Sequence, residues 1–186
     1  MKYALTLTVE DNEAGLGPER EKLVLWAHPS ELPWHIGLKV IAYVIHMEHS
    51  PLVELSVGFR FKPDLAVVDD TGRVRLWIDC GNIAVKKVRR VAGWLQSGAR
   101  FVVLRREERD GLALVEAIQA DGPLRHRLEV LWFDDGFADG FAEALDASNT
   151  LACVRTARRI DMTLTNRGGE FSLRSRLHRR VLGPEA

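Results

Sequence analysis

The chain has few cysteines, no long apolar run and no excess of charge of either sign. Its 186 residues include only Cys80 and Cys153, too few for a disulfide framework or a cysteine-rich zinc cluster. The longest apolar run, around Val40 to Ile45, is much shorter than a membrane span. The N-terminal letters MKYALTLTVEDNE alternate as in a strand and lack the apolar block of a signal peptide. The sequence therefore predicts a reduced, cytoplasmic protein without a membrane-spanning segment.

Several common catalytic motifs are also missing. There is no glycine-rich phosphate loop with its lysine, no nucleophile elbow and no helix with paired histidines flanking a glutamate. His46 and His49 lie three residues apart, but the remaining ligands of a zinc set are lacking. These absences exclude the usual sequence forms of nucleotide-binding P-loop proteins, serine hydrolases and zinc proteases.

The charges are unevenly distributed along a chain whose formal net charge is zero. Residues 151–186 hold eight arginines and three acids, a balance of +5, so the first 150 residues carry −5. A basic segment of this kind can attract the phosphate backbone of a nucleic acid, although it is equally typical of a solvated tail. With 46% hydrophobic residues, we expect one domain over residues 1–186, with a basic tail from about 175 to 186 that need not be ordered.

Hydrophobic periodicity predicts a mixed α/β chain. Predicted strands cover residues 2–9, 22–27, 52–61, 64–69, 74–80, 100–105, 128–133, 160–165 and 170–174. Predicted helices run from an N-cap at Ser30 to about Met47, and over residues 83–97, 111–119 and 137–145. The central order is helix, three-strand meander, helix, strand, with additional hairpins and helices around it.

The meander contains the letters KPDLAVVDDTGRVRLWIDCGN, in which one aspartate precedes the first strand and another ends the second. A two-residue turn at Thr71-Gly72 would place Asp64 directly opposite Asp79, with Cβ atoms about 5 Å apart. A type I turn over residues 69–72 with a glycine bulge would shift the pairing by one residue. Two opposed carboxylates repel each other unless a cation lies between them, and Mg²⁺ or Mn²⁺ suits oxygen ligands. Alternatively, both acids are ordinary solvated strand-end residues.

Several motifs resemble the YaeQ family. PDL at 63–65 and LWIDCGN at 76–82 are the most distinctive. HPSE at 28–31, KKVRR at 86–90, LWFDD at 131–135 and MTLTNRGGEFSL at 162–173 are also similar. The resemblance implies a PD-(D/E)xK nuclease-like fold, that is, a restriction-endonuclease-like α/β core with a metal site on its sheet.

The resemblance also implies roles for individual residues. Asp64 would be the motif aspartate and Asp79 the second motif acid, and Glu31 before the long helix would be an additional metal ligand. The position of the motif lysine is Gly81, so the motif is altered. First-turn residues 34 and 35 also depart from the polar residues of the family.

Other groups would have to replace the missing lysine. The amide of Asn82 could orient a water or a phosphate oxygen, and Lys86, with Lys87 as the neighbouring alternative, could supply the charge. The resulting hypothesis is a metal-dependent phosphodiesterase acting on nucleic acid, with Asp64, Asp79, Asn82 and Lys86 as its catalytic residues. The alternative is a non-catalytic module that binds nucleic acid or a protein on an inherited nuclease fold.

Overall fold

The structure is a computed structural model that describes residues 1–12 and 16–184, without the side chains of residues 16 and 17. Its strands are β1 Lys2–Asp11, β2 Leu16–Trp26, β3 Leu52–Val53, β4 Leu65–Val68, β5 Val74–Cys80, β6 Arg100–Leu104, β7 Leu128–Phe133, β8 Ser148–Thr156, β9 Arg159–Asn166 and β10 Gly169–Leu182. Its helices are α1 Pro33–Ile45, α2 Val85–Trp94, α3 Glu108–Ala120 and α4 Phe137–Ala144, with a 3₁₀ turn at Met47–His49.

The strands of this described part form one ten-stranded sheet in the order β2-β1-β8-β9-β10-β7-β6-β5-β4-β3. The pairs β1–β8, β5–β6 and β6–β7 are parallel and the other pairs are antiparallel. The long strand β10 pairs with β9 through its first half and with β7 through its second half. It therefore joins the two halves of the sheet, and the mixed α/β prediction is confirmed.

Two apolar cores lie on opposite faces of the sheet. On one face, α1 and α4 pack against strands from both halves, and the helices approach closely, since a Cβ on Gly37 would lie 3.0 Å from Ala142 Cβ. On the other face, α2 and α3 cover β5, β6 and β7, and this core contains the fully buried Trp77. All of residues 36–45 in α1 are buried, because α1 packs against both the sheet and α4. No described helix is long and apolar enough to cross a membrane.

Several predicted elements need correction. Ser30 is not the N-cap of α1, which begins at Pro33 after Leu32, so Glu31 precedes the helix instead of lying in its first turn. The predicted strand over 52–61 is wrong beyond Val53, because Glu54 has a left-handed φ of 51° that ends the pairing. Strand β8 was missed. Residues 175–182, expected in a tail that need not be ordered, form the second half of β10.

Candidate functional site

The β4–β5 hairpin brings the two aspartates to the same end of the meander. Its turn is the type I form, in which the Gly72 amide donates to Asp69 O at 2.8 Å and Gly72 has a φ of 77°. The pairing then shifts again between Val67 and Val68, which restores the register Leu65↔Ile78. The paired register ends at Leu65, and the Asp64 amide donates to Ile78 O at 3.0 Å. The predicted direct opposition of Asp64 and Asp79 is therefore not part of the paired register, although both residues lie at the same end of the hairpin.

Asp79 is almost completely buried, with 2% of its surface exposed. Its Oδ1 lies 2.8 Å from Lys87 Nζ on α2, and its Oδ2 accepts a hydrogen bond of 2.9 Å from Trp77 Nε1. Burial raises the pKa of the Asp79 carboxyl and the charge of Asp64 adds to the rise, against the opposing effects of Lys87 and Trp77. The two acids therefore affect each other electrostatically, and the charge of Lys87 favours the ionised form of Asp79.

Asp64 is held from the opposite face of the sheet. Its Oδ2 accepts a hydrogen bond of 2.7 Å from the Cys80 amide, and its Oδ1 lies 3.4 Å from His35 Nε2 and 3.7 Å from Lys39 Nζ. Burial would raise the pKa of Asp64, but the His35 contact and charge, the Cys80 amide and Lys39 together hold this pKa below its ordinary value. Asp64 thus stays ionised while the environment of Asp79 favours protonation.

A buried lysine that the sequence analysis missed completes the α1 side. Lys39 is only 3% exposed, and its Nζ lies 2.6 Å from Glu31 Oε1 and 2.6 Å from Glu54 Oε1. Glu31 Oε1 also lies 2.6 Å from His35 Nδ1. Although burial opposes it, pairing with Glu31 and Glu54 raises the pKa of Lys39, with the charge of Asp64 contributing further. Lys39 therefore compensates three acids that come from three separate segments.

The position of the missing motif lysine is sterically closed. Gly81 has a left-handed φ of 76°, and a Cβ built on it would lie 2.5 Å from Trp34 Cζ3. The Arg105 side chain fixes the same backbone by donating to Gly81 O at 2.5 Å, and the Arg106 guanidinium lies 5.4 Å from the centre of the Trp34 ring. Glycine is required here because Trp34 fills the space that any side chain would need.

The predicted site residues are only partly brought together. Asp64 and Asp79 lie at neighbouring strand positions, and Glu31 is linked to Asp64 through His35 and Lys39. Asn82 and Lys86 are exposed, and their side chains form no hydrogen bond or ion pair with the described residues. The lysine that contacts an acid is the neighbouring alternative, Lys87.

Among the described residues, the candidate metal ligands are limited to the carboxylates of Asp64 and Asp79. Across residues 1–12 and 16–184, no three His, Cys, Asp or Glu side chains are gathered so that they could hold a metal ion. Any ion at this point would therefore need ligands from outside the protein in addition to Asp64 and Asp79.

The arginines of the C-terminal segment are largely neutralised. Five of the eight form ion pairs with acids: Arg155 with Asp11 and Glu48, Arg159 and Arg174 with Asp161, Arg167 with Asp146, and Arg179 with Glu129. The segment is a structural part of the sheet, and its net charge overstates the positive surface that it can offer to a partner.

Comparisons with known proteins agree with this mixed α/β architecture. The family model described as YaeQ protein matches residues 2–173. The chain therefore belongs to the YaeQ family, which confirms the resemblance inferred from its motifs. A comparison with curated proteins gave no match.

Two crystal structures share the fold. The YaeQ protein from Xanthomonas axonopodis pv. citri is 19% identical and superposes with a TM-score of 0.76 over 98% of each chain. The YaeQ protein from Pseudomonas syringae is 16% identical, with a TM-score of 0.75 over 100% of this chain and 97% of that chain. At these identities the likeness establishes the fold alone.

Proposed function

We propose that this chain is a divalent-metal-dependent phosphodiesterase with an altered PD-(D/E)xK motif, acting on nucleic acid. The observation that carries the proposal is the contact of 2.8 Å between Lys87 Nζ and Asp79 Oδ1, beside the second acid Asp64. Lys87 supplies the charge that Gly81 lacks. The chain order α1, β3, β4, β5, α2, β6 supports a restriction-endonuclease-like core, because it is the expected succession of helix, meander, helix and strand.

Mg²⁺, or Mn²⁺ in its place, would take Asp64 and Asp79 as its protein ligands. Mg²⁺ commonly takes one or two carboxylates and completes its shell with waters and substrate phosphates. Asp64 Oδ1 is the less engaged oxygen of its carboxylate, since its contacts to cationic groups are 3.4 Å and 3.7 Å. Asp79 Oδ1 would have to exchange Lys87 for the ion. We therefore expect the free protein to bind the metal weakly, and to bind it more tightly together with a phosphate ligand.

The remaining predicted residues take supporting roles in this proposal. Glu31 is a weaker candidate ligand than the aspartates, because its Oε1 already pairs with Lys39 and His35 at 2.6 Å. It would orient the cations that keep Asp64 ionised. Asn82 and Lys86, being exposed, would contact substrate from the rim.

The chemistry would be divided between the ion and the side chains. When bound, the ion would lower the pKa of a coordinated water and neutralise charge on the phosphoryl oxygens. Lys87, released from Asp79 Oδ1, would donate to a non-bridging phosphate oxygen and stabilise the negative charge that develops there. His35 and Lys39 would keep Asp64 in its charged form throughout.

Adjacent lysines provide a matched test. Purified protein should cleave at least one of single-stranded DNA, double-stranded DNA, single-stranded RNA or double-stranded RNA in Mg²⁺ or Mn²⁺. Lys87→Gln should reduce the rate by about 100-fold or more, as expected when an electrostatic stabiliser is removed. Lys86→Gln, which makes the same charge change at an exposed neighbour, should stay within about threefold of wild type. Absence of cleavage on every substrate, or equal effects of the two substitutions, would contradict the proposal.

A non-catalytic binding module is the second candidate. It is favoured by the fact that both Asp79 oxygens already bind protein donors and that Lys39 already compensates the nearby acids. Such a cluster is balanced without a metal. A gel-shift assay over a range of salt concentrations distinguishes the candidates: retarded nucleic acid in EDTA, with no cleavage product when Mg²⁺ or Mn²⁺ is added, supports the module.

A further inference from the structure

A second groove lies away from the two aspartates, toward the opposite end of β5 and β6. Arg100 at the start of β6 pairs with Leu76, whereas Asp79 pairs with Val103, so the two levels are separated by three residues along the strands. This corresponds to about 10 Å. The groove has a volume of about 660 Å³, within the range of small-molecule sites. Its charged and titratable lining consists of Arg100, Arg125, His126, Arg127, Glu129 and Arg179.

The lining carries a surplus of positive charge. Four arginines face one acid, Glu129, which gives a balance of +3 with a neutral histidine. Glu129 is only 7% exposed, and its Oε2 lies 2.8 Å from Arg179 Nη2 and 3.8 Å from Arg100 Nη2. Each guanidinium has five N–H donors, so both arginines keep donors for a ligand while the buried acid fixes their position. Arg125 and Arg127 are exposed and have no ion pair within the described chain.

Two close contacts link the walls of the groove. His126 Nε2 lies 2.7 Å from Ala99 O, which links the segment before β7 to the turn before β6. Gly183 approaches the same segment so closely that a Cβ on it would lie 2.5 Å from His126 O, and its φ is 93°. The arginines thus project from a framework that is already formed, which reduces the entropy lost when a ligand binds.

We propose that this groove is a phosphate-binding site, separate from the Asp64–Asp79 site and independent of metal. Guanidinium groups match phosphate oxygens with paired, charge-assisted hydrogen bonds. The phosphate can belong to a nucleotide or polyphosphate, or to a nucleic-acid strand that extends beyond the groove. The inference stands on the groove alone and does not require the phosphodiesterase proposal.

Two phosphate probes and two double variants test the site. Pyrophosphate binding is measured by calorimetry and binding of a short fluorescein-labelled single-stranded DNA by anisotropy, both in EDTA. Arg125→Gln/Arg127→Gln should weaken pyrophosphate binding at least about tenfold, because two charge-assisted contacts are removed. Arg20→Gln/Arg158→Gln makes the same charge change at exposed arginines outside the groove and should leave the affinity within about twofold. Matching thermal unfolding of all proteins shows that the substitutions leave the fold intact.

The anisotropy measurement with labelled DNA identifies the source of the phosphate. If the ligand is a strand, the groove variant should also bind DNA more weakly, and the slope of log affinity against log salt should fall by about 1.4, roughly 0.7 per lost contact. If DNA binding is unchanged while pyrophosphate binding is lost, the ligand is a free phosphate compound. Failure of the wild type to bind either probe, or equal losses in the groove variant and the control variant, would overturn the site.

The phosphate-site proposal and the phosphodiesterase proposal can be refuted independently of each other. Asp64→Ala/Asp79→Ala should keep wild-type pyrophosphate affinity in EDTA, because neither aspartate lines the groove. Loss of pyrophosphate binding in this variant would contradict the separate groove. Intact groove binding in a protein that cleaves no substrate would refute only the phosphodiesterase.

Discussion

Replacing Gly81 with alanine should destabilise the protein much more than the same replacement at Gly72. Both glycines have left-handed backbones, with φ values of 76° and 77°. An added Cβ at Gly81 would lie 2.5 Å from Trp34 Cζ3, whereas no atom lies within 4 Å of an added Cβ at Gly72. The two positions therefore share the backbone cost and differ in the clash with Trp34.

The magnitude follows from these two contributions. A left-handed backbone costs an alanine about 1–2 kcal/mol, and this cost applies equally at both positions. Overpacking against a ring costs about 1–3 kcal/mol more, at Gly81 only. We therefore expect unfolding free energies lowered by about 1–2 kcal/mol for Gly72→Ala and by about 2–5 kcal/mol for Gly81→Ala.

Urea unfolding followed by circular dichroism measures both values, and a double-mutant cycle isolates the clash. In a Trp34→Ala background, Gly81→Ala should cost no more than Gly72→Ala, because the ring is gone. Equal destabilisation by Gly81→Ala and Gly72→Ala in the wild-type background would refute the reasoning that Trp34 closes the motif-lysine position.

Two further predictions concern the cations on the α1 side of the site. Lys39→Met should destabilise the protein by about 3 kcal/mol or more in urea unfolding, because it leaves buried acids uncompensated. The control is Lys62→Met, at an exposed lysine 3.6 Å from Glu54, which should cost under about 1 kcal/mol. Similar losses for both variants would contradict the role of Lys39. Burial lowers the pKa of His35, but contact with Asp64 outweighs it, so this pKa is raised. Protonated His35 therefore stabilises the fold fully below its ordinary pKa of 6.5, and this stabilisation is lost as the pH rises through the raised value. In EDTA, His35→Gln should therefore reduce stability more at acidic than at alkaline pH, and a pH-independent difference would contradict this.

Local patterns predicted the elements that depend on local sequence. Strand β7 has the predicted bounds Leu128–Phe133. Its side chains are buried on both faces of the sheet, so the short apolar run in the sequence has the same limits as the strand. The strand expected over 52–61 failed because Glu54 adopts a left-handed backbone, a conformation that apolar alternation does not reveal. Strand β8 was missed although its buried residues alternate, since one of them is the polar Asn149 and the apolar alternation is therefore short.

The candidate site was predictable only where it depends on the hairpin. The position of Asp64 and Asp79 at the same end of the hairpin follows from the two adjacent strands. The role of Lys39 could not be predicted from the hairpin, because its acid partners come from separate segments of the chain. One signal was available: residues 36–45 are apolar on every side of the helix except for this lysine, and a lysine inside a helix buried all round must pair with acids. The choice between Lys86 and Lys87 depended on where α2 begins, and it begins at Val85.

Crystals soaked in Mn²⁺ together with a non-hydrolysable phosphate ligand would test the central claim most directly. We predict an anomalous density peak at the carboxylates of Asp64 and Asp79, with Lys87 Nζ moved from Asp79 Oδ1, now 2.8 Å away, onto the phosphate. A site without manganese under these conditions, with Lys87 still paired to Asp79, would contradict the metal-dependent phosphodiesterase.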